Sequence, residues 1–433
     1  MFSKGAVAAS IISLTMFSCS SVPPARESLS VSRNIATPSA LQRQIDSILD
    51  DSTLAPCLIG VEILSLEGGT VLYDRNSDKL FHPASNMKLI TTAAALSLLG
   101  KEFLFRTSVR SDSSIHEGAL SGNLVVKGSG DPLLVTSDLD SLARLVRARG
   151  IESVSGDLVG DVSYFDSLYW GAGWMWDDEP DADEAFISPL TVNANAIEVL
   201  VRPGRHSGDS AAFVLEPATA YLSVRNSAIT ASDTAIPRLK VWRGKGENII
   251  RIEGRIAPHG PGERFSLSVW RPEYYFLQLF REKLAAHGVS VRGTVRIGTG
   301  SGAEQLAECS HTIDSVVHRV NKPSDNIAAE NLLKTIGAEK SGTPGSAAQA
   351  LPLVRSYLAT LGIDTTKMML ADGSGVSWYN EISPAAIVQL LRKVYEDRDR
   401  FVRFYESLPV GGVDGTLKNR LRGTSTAGNV RAK

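Results

Sequence analysis

Two short stretches of the sequence carry residues that could perform acyl transfer. Ser85 and Lys88 are three positions apart at the expected start of a helix, so both side chains project from one face and can touch. A lysine amine accepts a proton from a serine hydroxyl when burial or a second cation lowers the pKa of the amine. Ser324 and Asn326 open a second helix and are free to point at a shared site. We therefore expect Ser85 to be a nucleophile and Lys88 to be its base.

Each stretch also has a simpler structural interpretation. Ser85 could cap its helix with Lys88 in solvent, and Ser324 or Asp325 could cap the second helix. The sequence after Lys88 argues against the first interpretation, because it is apolar around nearly the whole helix, as in a buried central helix. The apolar residues there are Leu89, Ile90, Ala93, Ala94, Ala95 and Leu96.

The elements that must position these residues follow from periodicity and from Gly and Pro. Helical spacing predicts helices over residues 41–49, 85–99, 273–287, 324–336, 346–361 and 384–396. Strand-like runs at 57–66 and 70–73, separated by Glu-Gly-Gly, predict a hairpin. Short apolar runs broken by Gly, Asp and Asn, at 105–109, 122–126, 196–201 and 241–253, predict a β-rich stretch with few helices.

These elements predict an α/β domain formed from both ends of the chain. Residues 41–100 and 271–433 form the two parts of this domain, and residues 101–270 form a mostly β insert of one or two subdomains. The nucleophile and the second polar stretch thus belong to the same domain, although 239 positions separate Ser85 from Ser324.

The order of the motifs resembles a known family. A Ser-x-x-Lys motif followed by Ser-Asp-Asn resembles the serine β-lactamases and penicillin-binding proteins, whose third signature is Lys-Thr-Gly. The long separation of the first two motifs resembles the D-alanyl-D-alanine carboxypeptidase/endopeptidase family of low-molecular-mass penicillin-binding proteins. Further segments resemble the same family, namely 128–132, 174–178, 188–190 with Asn193 and Asn195, 372–375 with Ser377 and Asn380, and 408–433.

The resemblance implies the fold and the end of the catalytic domain. It implies an α/β (α+β) penicillin-binding/β-lactamase-like transpeptidase domain with a large, mostly β inserted region. It also identifies Lys433 with the lysine of Lys-Thr-Gly. We therefore expect the natural chain to continue with Thr-Gly, which leaves the catalytic domain incomplete at its C-terminal end.

The resemblance implies a covalent mechanism on peptidoglycan stem peptides. Ser85 attacks the carbonyl of the penultimate D-alanine after Lys88 accepts its proton, and β-lactam antibiotics such as penicillins acylate the same serine. Ser324 bridges Lys88 and Lys433 and relays the proton to the leaving amine, while Asn326 binds the peptide backbone. Lys433 attracts the terminal carboxylate and lowers the pKa of Lys88 by repulsion. No metal or organic cofactor is expected.

Three acidic segments are weaker candidates. Asp161 resembles a family residue that faces the cleft from the insert, where it could meet the diamino acid of a stem peptide. The run at 177–184 holds six acids in eight residues; it could attract a cation or amino groups, but we expect a solvated loop. Asp372 and Ser374 are explained by a tight turn in which Gly373 and Gly375 supply the unusual dihedral angles.

Composition excludes other classes of protein. A chain of 433 residues with 43% hydrophobic residues and a net charge of -2 is an ordinary globular protein, without the basic field of nucleic-acid binders. It contains three cysteines, too few for a disulfide scaffold, and no CxxC or HExxH motif. Cys57 and Cys309 could form one disulfide or be two buried small side chains.

The N-terminal segment predicts export. Residues 5–17 are apolar and follow Lys4, which is typical of a signal peptide and too short to span a membrane. The residues before Cys19 resemble a bacterial lipobox, so residues 1–19 are interpreted as a lipoprotein-type signal peptide with diacylglycerol attached to Cys19. An ordinary secretory signal is the alternative. Residues 20–40 form a flexible tether, and we expect a periplasmic protein of the bacterial envelope whose only membrane contact is the lipid.

Two rival functions remain open. A β-lactamase or esterase of the same fold would need a carboxylate that activates water for deacylation. A non-catalytic envelope protein could use this scaffold to bind peptidoglycan or a partner.

Overall fold

A computed structural model describes residues 39–233, 235, 237–300 and 304–433. The chain divides into a unit from Met1 to Pro56 and a unit from Cys57 to Lys433. The described part of the first unit contains helix α1 (Ala40–Leu49), close to the helix predicted at 41–49. Ser39 caps it, because the Ser39 hydroxyl accepts from the Gln42 amide at 3.1 Å. The signal peptide, Cys19 and most of the tether lie outside the described residues.

The second unit contains the following elements within the described residues. Its helices are α2 (Met87–Leu98), α3 (Thr136–Ala148), α4 (Pro272–Ala286), α5 (Ile313–Asn321), α6 (Asn326–Ser341), α7 (Ala347–Thr360), α8 (Pro384–Glu396) and α9 (Arg398–Ser407). Its strands are β1 (Val61–Leu64), β2 (Val71–Arg75), β3 (Leu104–Ser111), β4 (Ile115–His116), β5 (Ala119–Leu120), β6 (Leu124–Gly128), β7 (Ser153–Val154), β8 (Leu158–Asp161), β9 (Ala196–Arg202), β10 (Ala212–Glu216), β11 (Ser223–Asn226), β12 (Ile229–Thr230), β13 (Lys240–Arg243), β14 (Ile249–Glu253), β15 (Arg255–Ile256), β16 (Glu263–Ser268), β17 (Ser290–Val291), β18 (Val295–Ile297) and β19 (Glu304–Thr312).

Helix α2 is the centre of the helical part. It contacts α5, α6, α7, α8 and α9, and its residues from Met87 to Leu96 are all buried. Small side chains at 93–95 let the neighbouring helices approach closely, so one apolar core forms around α2. The predicted buried central helix is confirmed.

The β-rich part is built on a five-stranded sheet with the order β18-β8-β6-β3-β19. Strand β19 is an edge strand that pairs antiparallel with β3 and leads directly into α5. The remaining sheets have the orders β1-β2, β10-β9-β16, β11-β14-β13, β12-β15 and β17-β7-β5-β4. One run predicted at 241–253 is two antiparallel strands, β13 and β14, because Gly246 turns the chain with φ of 64°.

The boundary of the β-rich part differs from the predicted position at residues 270 and 271. Tyr275, Phe276 and Phe280 of α4 are fully buried in the core of the β-rich part, which continues as far as Ala307. The helical core resumes at Ile313. Helical spacing at 273–287 predicts α4 correctly, but spacing does not reveal which core a helix joins.

Two further points concern the cysteines and the membrane. Cys57 is exposed and Cys309 is half-buried, and both are free thiols, so the alternative of a disulfide between them is excluded. Among the described residues, no helix combines the length and the apolar character needed to cross a bilayer.

Candidate active site

Ser85 lies in a short 3-10 turn that precedes α2. The turn covers Ala84–Asn86, so the regular helix begins two residues after the predicted start. Ala84 has φ of 47° and Gly375 has φ of 87°. A Cβ atom on Gly375 would lie 1.8 Å from the Ala84 carbonyl oxygen. The backbone before the nucleophile is therefore strained and is held in place by a close approach that only glycine allows.

Lys88 is in the first turn of α2 and is completely buried. Its Nζ donates to Ser85 Oγ at 3.3 Å, to Asn326 Oδ1 at 2.5 Å and to the Ser374 carbonyl at 2.7 Å. Burial lowers the pKa of the Lys88 amine to about 8, against the raising effect of nearby carboxylates, of which Glu330 is the strongest. Lys88 thus has the contact and the lowered pKa that a base for Ser85 requires.

Neighbouring residues of the second polar stretch, 324–326, have different roles. Asp325 caps α6, because its Oδ1 accepts from the Ala328 amide at 2.8 Å. Ser324 has φ of 68°, and its hydroxyl donates to Ser85 Oγ at 3.0 Å. Asn326 uses its other side-chain atom, Nδ2, to donate to the Asp183 carbonyl at 2.9 Å. The cap interpretation is correct for Asp325, and this leaves Ser324 and Asn326 free for the site.

The side chain of Lys433 contacts the C-terminal end of α5 and lies near Lys88. Its Nζ donates to the carbonyls of Val320 at 3.2 Å and Asn321 at 3.0 Å. Burial and then the Lys88 cation lower the pKa of Lys433 to about 7. The sequence predicted that Lys433 lowers the pKa of Lys88, but burial is what lowers the pKa of Lys88. The Ser324 hydroxyl points to Ser85, where the sequence predicted a bridge from Lys88 to Lys433.

A buried turn at 372–375, which the sequence does not assign to the site, supports Lys88. Asp372 accepts from Trp174 Nε1 at 3.0 Å, from the Gly375 and Ser377 amides at 2.8 and 2.7 Å and from Asn380 Nδ2 at 2.7 Å. These bonds fix the turn that aims the Ser374 carbonyl at Lys88. The predicted tight turn is correct.

Glu330 of α6 holds the other side of this turn. Its Oε1 accepts from the amides of Gly373 and Ser374 at 3.0 and 2.8 Å. Burial, followed by Asp372, raises the pKa of Glu330 to about 8. Gly373 does not have a positive φ. Glycine is required there for space, because a Cβ atom would lie 2.9 Å from the Ala329 carbonyl oxygen. One signal could have found Glu330, since it is four positions after Asn326 on the same helix face.

The acidic run at 177–184 borders the site through Asp183, while Asp177, Asp181 and Asp183 are exposed, as expected of a solvated loop. A cavity of about 500 Å³ is lined by Asp183 together with Ser324 and Asn326. Burial and the neighbouring carboxylates raise the pKa of Glu184 to about 7. The fully buried Arg243 anchors the loop, donating to Glu179 Oε1 at 3.1 Å and to the Glu179 carbonyl at 3.0 Å. Sequence spacing could not reveal this anchor.

Asp161 is not brought to the cavity. It ends β8, which lies inside the five-stranded sheet between β18 and β6. Only 4% of the residue is exposed, and its Oδ1 accepts from the Ser163 amide at 3.0 Å. Its carboxylate therefore stabilises the turn after the strand.

The strained contact at Gly375 yields a prediction. In Gly375→Ala the new Cβ would clash with the Ala84 carbonyl, so the turn that holds Ser85 must shift. Because misplacement by about 1 Å can cost about 100-fold in rate, we expect the rate constant of acylation by penicillin to fall by about 100-fold or more. Stopped-flow labelling with a fluorescent penicillin measures this.

A matched control is Gly100→Ala. Gly100 has φ of 85° and an added Cβ would meet nothing within 4 Å. This variant carries the cost of a left-handed alanine, about 1 kcal/mol in free energy of unfolding, but should acylate normally. Equal acylation rates in the two variants would contradict the role assigned to the contact.

The sequence and the fold of this chain are similar to those of known proteins. The profile of the D-Ala-D-Ala carboxypeptidase 3 (S13) family matches residues 41–433. The chain is 36% identical over 409 residues to a D-alanyl-D-alanine carboxypeptidase of Actinomadura sp. (strain R39), covering 91% of this chain and 76% of that protein. It is 26% identical over 365 residues to the D-alanyl-D-alanine carboxypeptidase DacB of Haemophilus influenzae, covering 84% and 76%. The crystal structure of penicillin binding protein 4 (dacB) from Haemophilus influenzae superposes with a TM-score of 0.77 at 26% identity, covering 86% of this chain and 83% of that one.

Proposed function

Because the chain belongs to the D-Ala-D-Ala carboxypeptidase 3 (S13) family, as its motifs predicted, we propose that it is a hydrolase whose nucleophile is Ser85 and whose base is Lys88. It is a serine-type D-alanyl-D-alanine carboxypeptidase of the penicillin-binding class, with the mixed α/β fold of that family. It cleaves peptidoglycan stem peptides through an acyl-serine intermediate, and cross-linked peptides by the same chemistry. The contact between buried Lys88 and the Ser85 hydroxyl carries this proposal.

In the acylation step, Ser85 Oγ forms a bond to the carbonyl carbon of the penultimate D-alanine while its proton moves to Lys88 Nζ. The pKa of about 8 leaves about a tenth of the Lys88 amines neutral at pH 7. Asn326 and the Ser374 carbonyl hold that amine beside the hydroxyl. Asn326 therefore positions the base, in addition to the peptide binding expected from the resemblance.

In the second half of the step, the bond to the terminal D-alanine breaks and its amine needs a proton. Ser324 is the nearest candidate to relay it, because its hydroxyl already lies 3.0 Å from Ser85 Oγ. Lys433 supplies the cation that attracts the terminal carboxylate of the substrate. Water then attacks the acyl-serine and releases the shortened peptide.

The pKa values of the two lysines predict a bell-shaped pH profile. Below pH 7 the rate of acylation should rise about tenfold per unit, because Lys88 must lose its proton. Above pH 8 it should fall, because Lys433, with a pKa of about 7, loses the charge that attracts the carboxylate. Rates of D-alanine release from pH 5 to 10 measure both limbs.

Two controls assign the limbs. An acyl ester without a free carboxylate should lose the falling limb and keep the rising one. Glu184→Gln should keep both limbs, although the Glu184 carboxyl also has a pKa of about 7. A profile that is flat between pH 5 and 8 would refute Lys88 as the base.

The test of the function combines two assays on the same preparation. Release of D-alanine from a stem pentapeptide, together with covalent labelling by a fluorescent penicillin, supports a carboxypeptidase. Rapid turnover of penicillin without release of D-alanine would indicate the β-lactamase alternative. Neither activity in a folded protein would indicate the non-catalytic alternative.

The place of action is proposed from the family and from the sequence. The relatives are named D-alanyl-D-alanine carboxypeptidases, and the proposed peptidoglycan substrate lies in the bacterial envelope, which supports an envelope protein. We extend this to a periplasmic protein whose signal peptide is residues 1–19 and whose Cys19 carries the lipid, because an apolar segment and a lipobox-like sequence precede that cysteine. Metabolic labelling with a radioactive fatty acid that is unchanged in Cys19→Ser would refute the lipid.

A further inference from the structure

Three potential metal ligands lie together where β19 passes the start of α3. Cys309 and His311 belong to β19, and Asp138 belongs to the first turn of α3. Each offers one ligand atom, and these atoms all lie within 4.8 Å of one another. The sequence predicts no metal site, because CxxC and HExxH motifs place ligands at short spacings, whereas this group forms only when the chain folds.

The local geometry points the three side chains at one another. Cys309 and His311 are two positions apart on a strand, so their side chains lie on the same face. Strand β19 is the edge of its sheet and contacts α3. Asp138 Oδ2 accepts from the Val135 amide at 2.8 Å, which fixes the position of the carboxyl group.

A buried carboxylate orients the imidazole. Asp131 is completely buried, and its Oδ2 lies 2.8 Å from His311 Nδ1. Its Oδ1 accepts from the Leu133 amide at 3.0 Å, which holds the carboxylate in place. A proton on Nδ1 leaves the lone pair on Nε2 for a ligand, and metal-binding histidines are oriented by carboxylates in this way.

The group carries negative charge that a cation would balance. Asp131 and Asp138 are both carboxylates, and Asp131 is completely buried. A bound divalent ion would stabilise the thiolate form of Cys309 that coordinates it. The proposed acyl-transfer mechanism uses none of these four residues.

We propose that Asp138, Cys309 and His311 bind a divalent transition metal ion of the Zn²⁺ class, with water as the fourth ligand. Ligand atoms around tetrahedral zinc are about 3.3 to 3.8 Å apart. The observed spacing of up to 4.8 Å therefore closes by about 1 Å, which half-buried side chains can supply. On binding, the thiol proton passes to solvent and the sulfur forms the metal bond. Thiolate and imidazole favour zinc over the hard cations Mg²⁺ and Ca²⁺.

The ion would join the two cores of the second unit. Cys309 packs against the β-rich core, and β19 continues into α5 of the helical core. Thr136, two positions before Asp138, lines the cavity beside Ser324. The site is thus structural: it fastens the strand that leads toward Ser324 to the helix whose start borders the cavity.

Titration of the full chain with Co²⁺ tests the site. We expect one equivalent to bind and to produce both visible ligand-field bands and a near-ultraviolet thiolate band. Cys309→Ser should lose the thiolate band although Cys19 and Cys57 remain, while the matched variant Cys57→Ser, which removes an exposed thiol, should keep it. Zn²⁺ should displace Co²⁺, and Mg²⁺ should not. A band that survives in Cys309→Ser, or no band in the unaltered chain, would overturn the proposal.

A second variant tests the orienting carboxylate. Asp131→Asn should weaken Zn²⁺ binding by about 10- to 100-fold, as loss of such a partner does elsewhere. Thermal unfolding of the metal-free variant checks that it folds, and unchanged affinity in a folded variant would contradict the role of Asp131. Penicillin labelling should survive in Cys309→Ser, so failure of the metal site and failure of the proposed function are separate results.

Discussion

Ser85→Ala is expected to abolish covalent labelling by penicillin. The Ser85 hydroxyl receives hydrogen bonds from Lys88 and from Ser324, and this arrangement makes Ser85 the oxygen that forms the acyl bond. Loss of the nucleophile costs on the order of 10⁶-fold in other acyl-serine enzymes, which is below detection in a labelling assay. The free energy of unfolding should change by only about 1 kcal/mol, because a half-buried hydroxyl is replaced by hydrogen.

Ser346→Ala is the matched control for this variant. The Ser346 hydroxyl caps α7 and bonds to Gln349 within the same turn. Its removal should cost about 1 kcal/mol in free energy of unfolding and leave labelling intact. Comparison of the two variants separates a loss of chemistry from a loss of stability. If Ser85→Ala is still labelled, and mass spectrometry locates the label on another residue, Ser85 is not the nucleophile.

Lys88→Arg should fail as completely as Lys88→Ala, for a different reason. Alanine removes the base, whereas the guanidinium group of arginine stays protonated and cannot accept the proton of Ser85. Lys88 is also completely buried, so the larger arginine side chain cannot extend into solvent. We expect acylation by penicillin to be undetectable in both variants after hours of incubation.

Lys334→Arg controls for the replacement of a buried lysine by arginine. Lys334 is also buried on a helix, but it pairs with Asp166 at 2.5 Å and needs only its charge. This variant should therefore label at a normal rate. An active Lys88→Arg enzyme would show that Lys88 acts through its charge and that another group is the base.

The part of the site that local rules govern was predictable from sequence. Ser85 and Lys88 touch because three positions make nearly one helical turn, and the apolar sequence after them is sufficient to bury the amine. The cap preference of Asp325 was equally readable. The spacing of Ile313, Val316, Val317 and Val320 is also helical and is sufficient to predict α5, which is not among the helices expected above.

The rest depends on contacts between distant segments, which no local pattern encodes. Asp372 needs Trp174, Glu330 needs the turn at 373–374, and the acidic loop needs Arg243. The surroundings of Asp161 depend in the same way on strand order, which places β8 inside its sheet. The type of each residue suggested chemistry, but only the fold decided which residues share a site.

The three bonds of the Lys88 amine have a consequence for folding studies. The bond to Ser85 joins near neighbours, but the bonds to Asn326 and Ser374 span 238 and 286 positions of the chain. The bond from Ser324 to Ser85 spans 239 positions. Such long-range contacts form late and together. The reactive serine therefore exists only in molecules whose tertiary structure is complete, and a brief pulse of fluorescent penicillin during refolding from urea should count native molecules, lagging behind the recovery of helical circular dichroism.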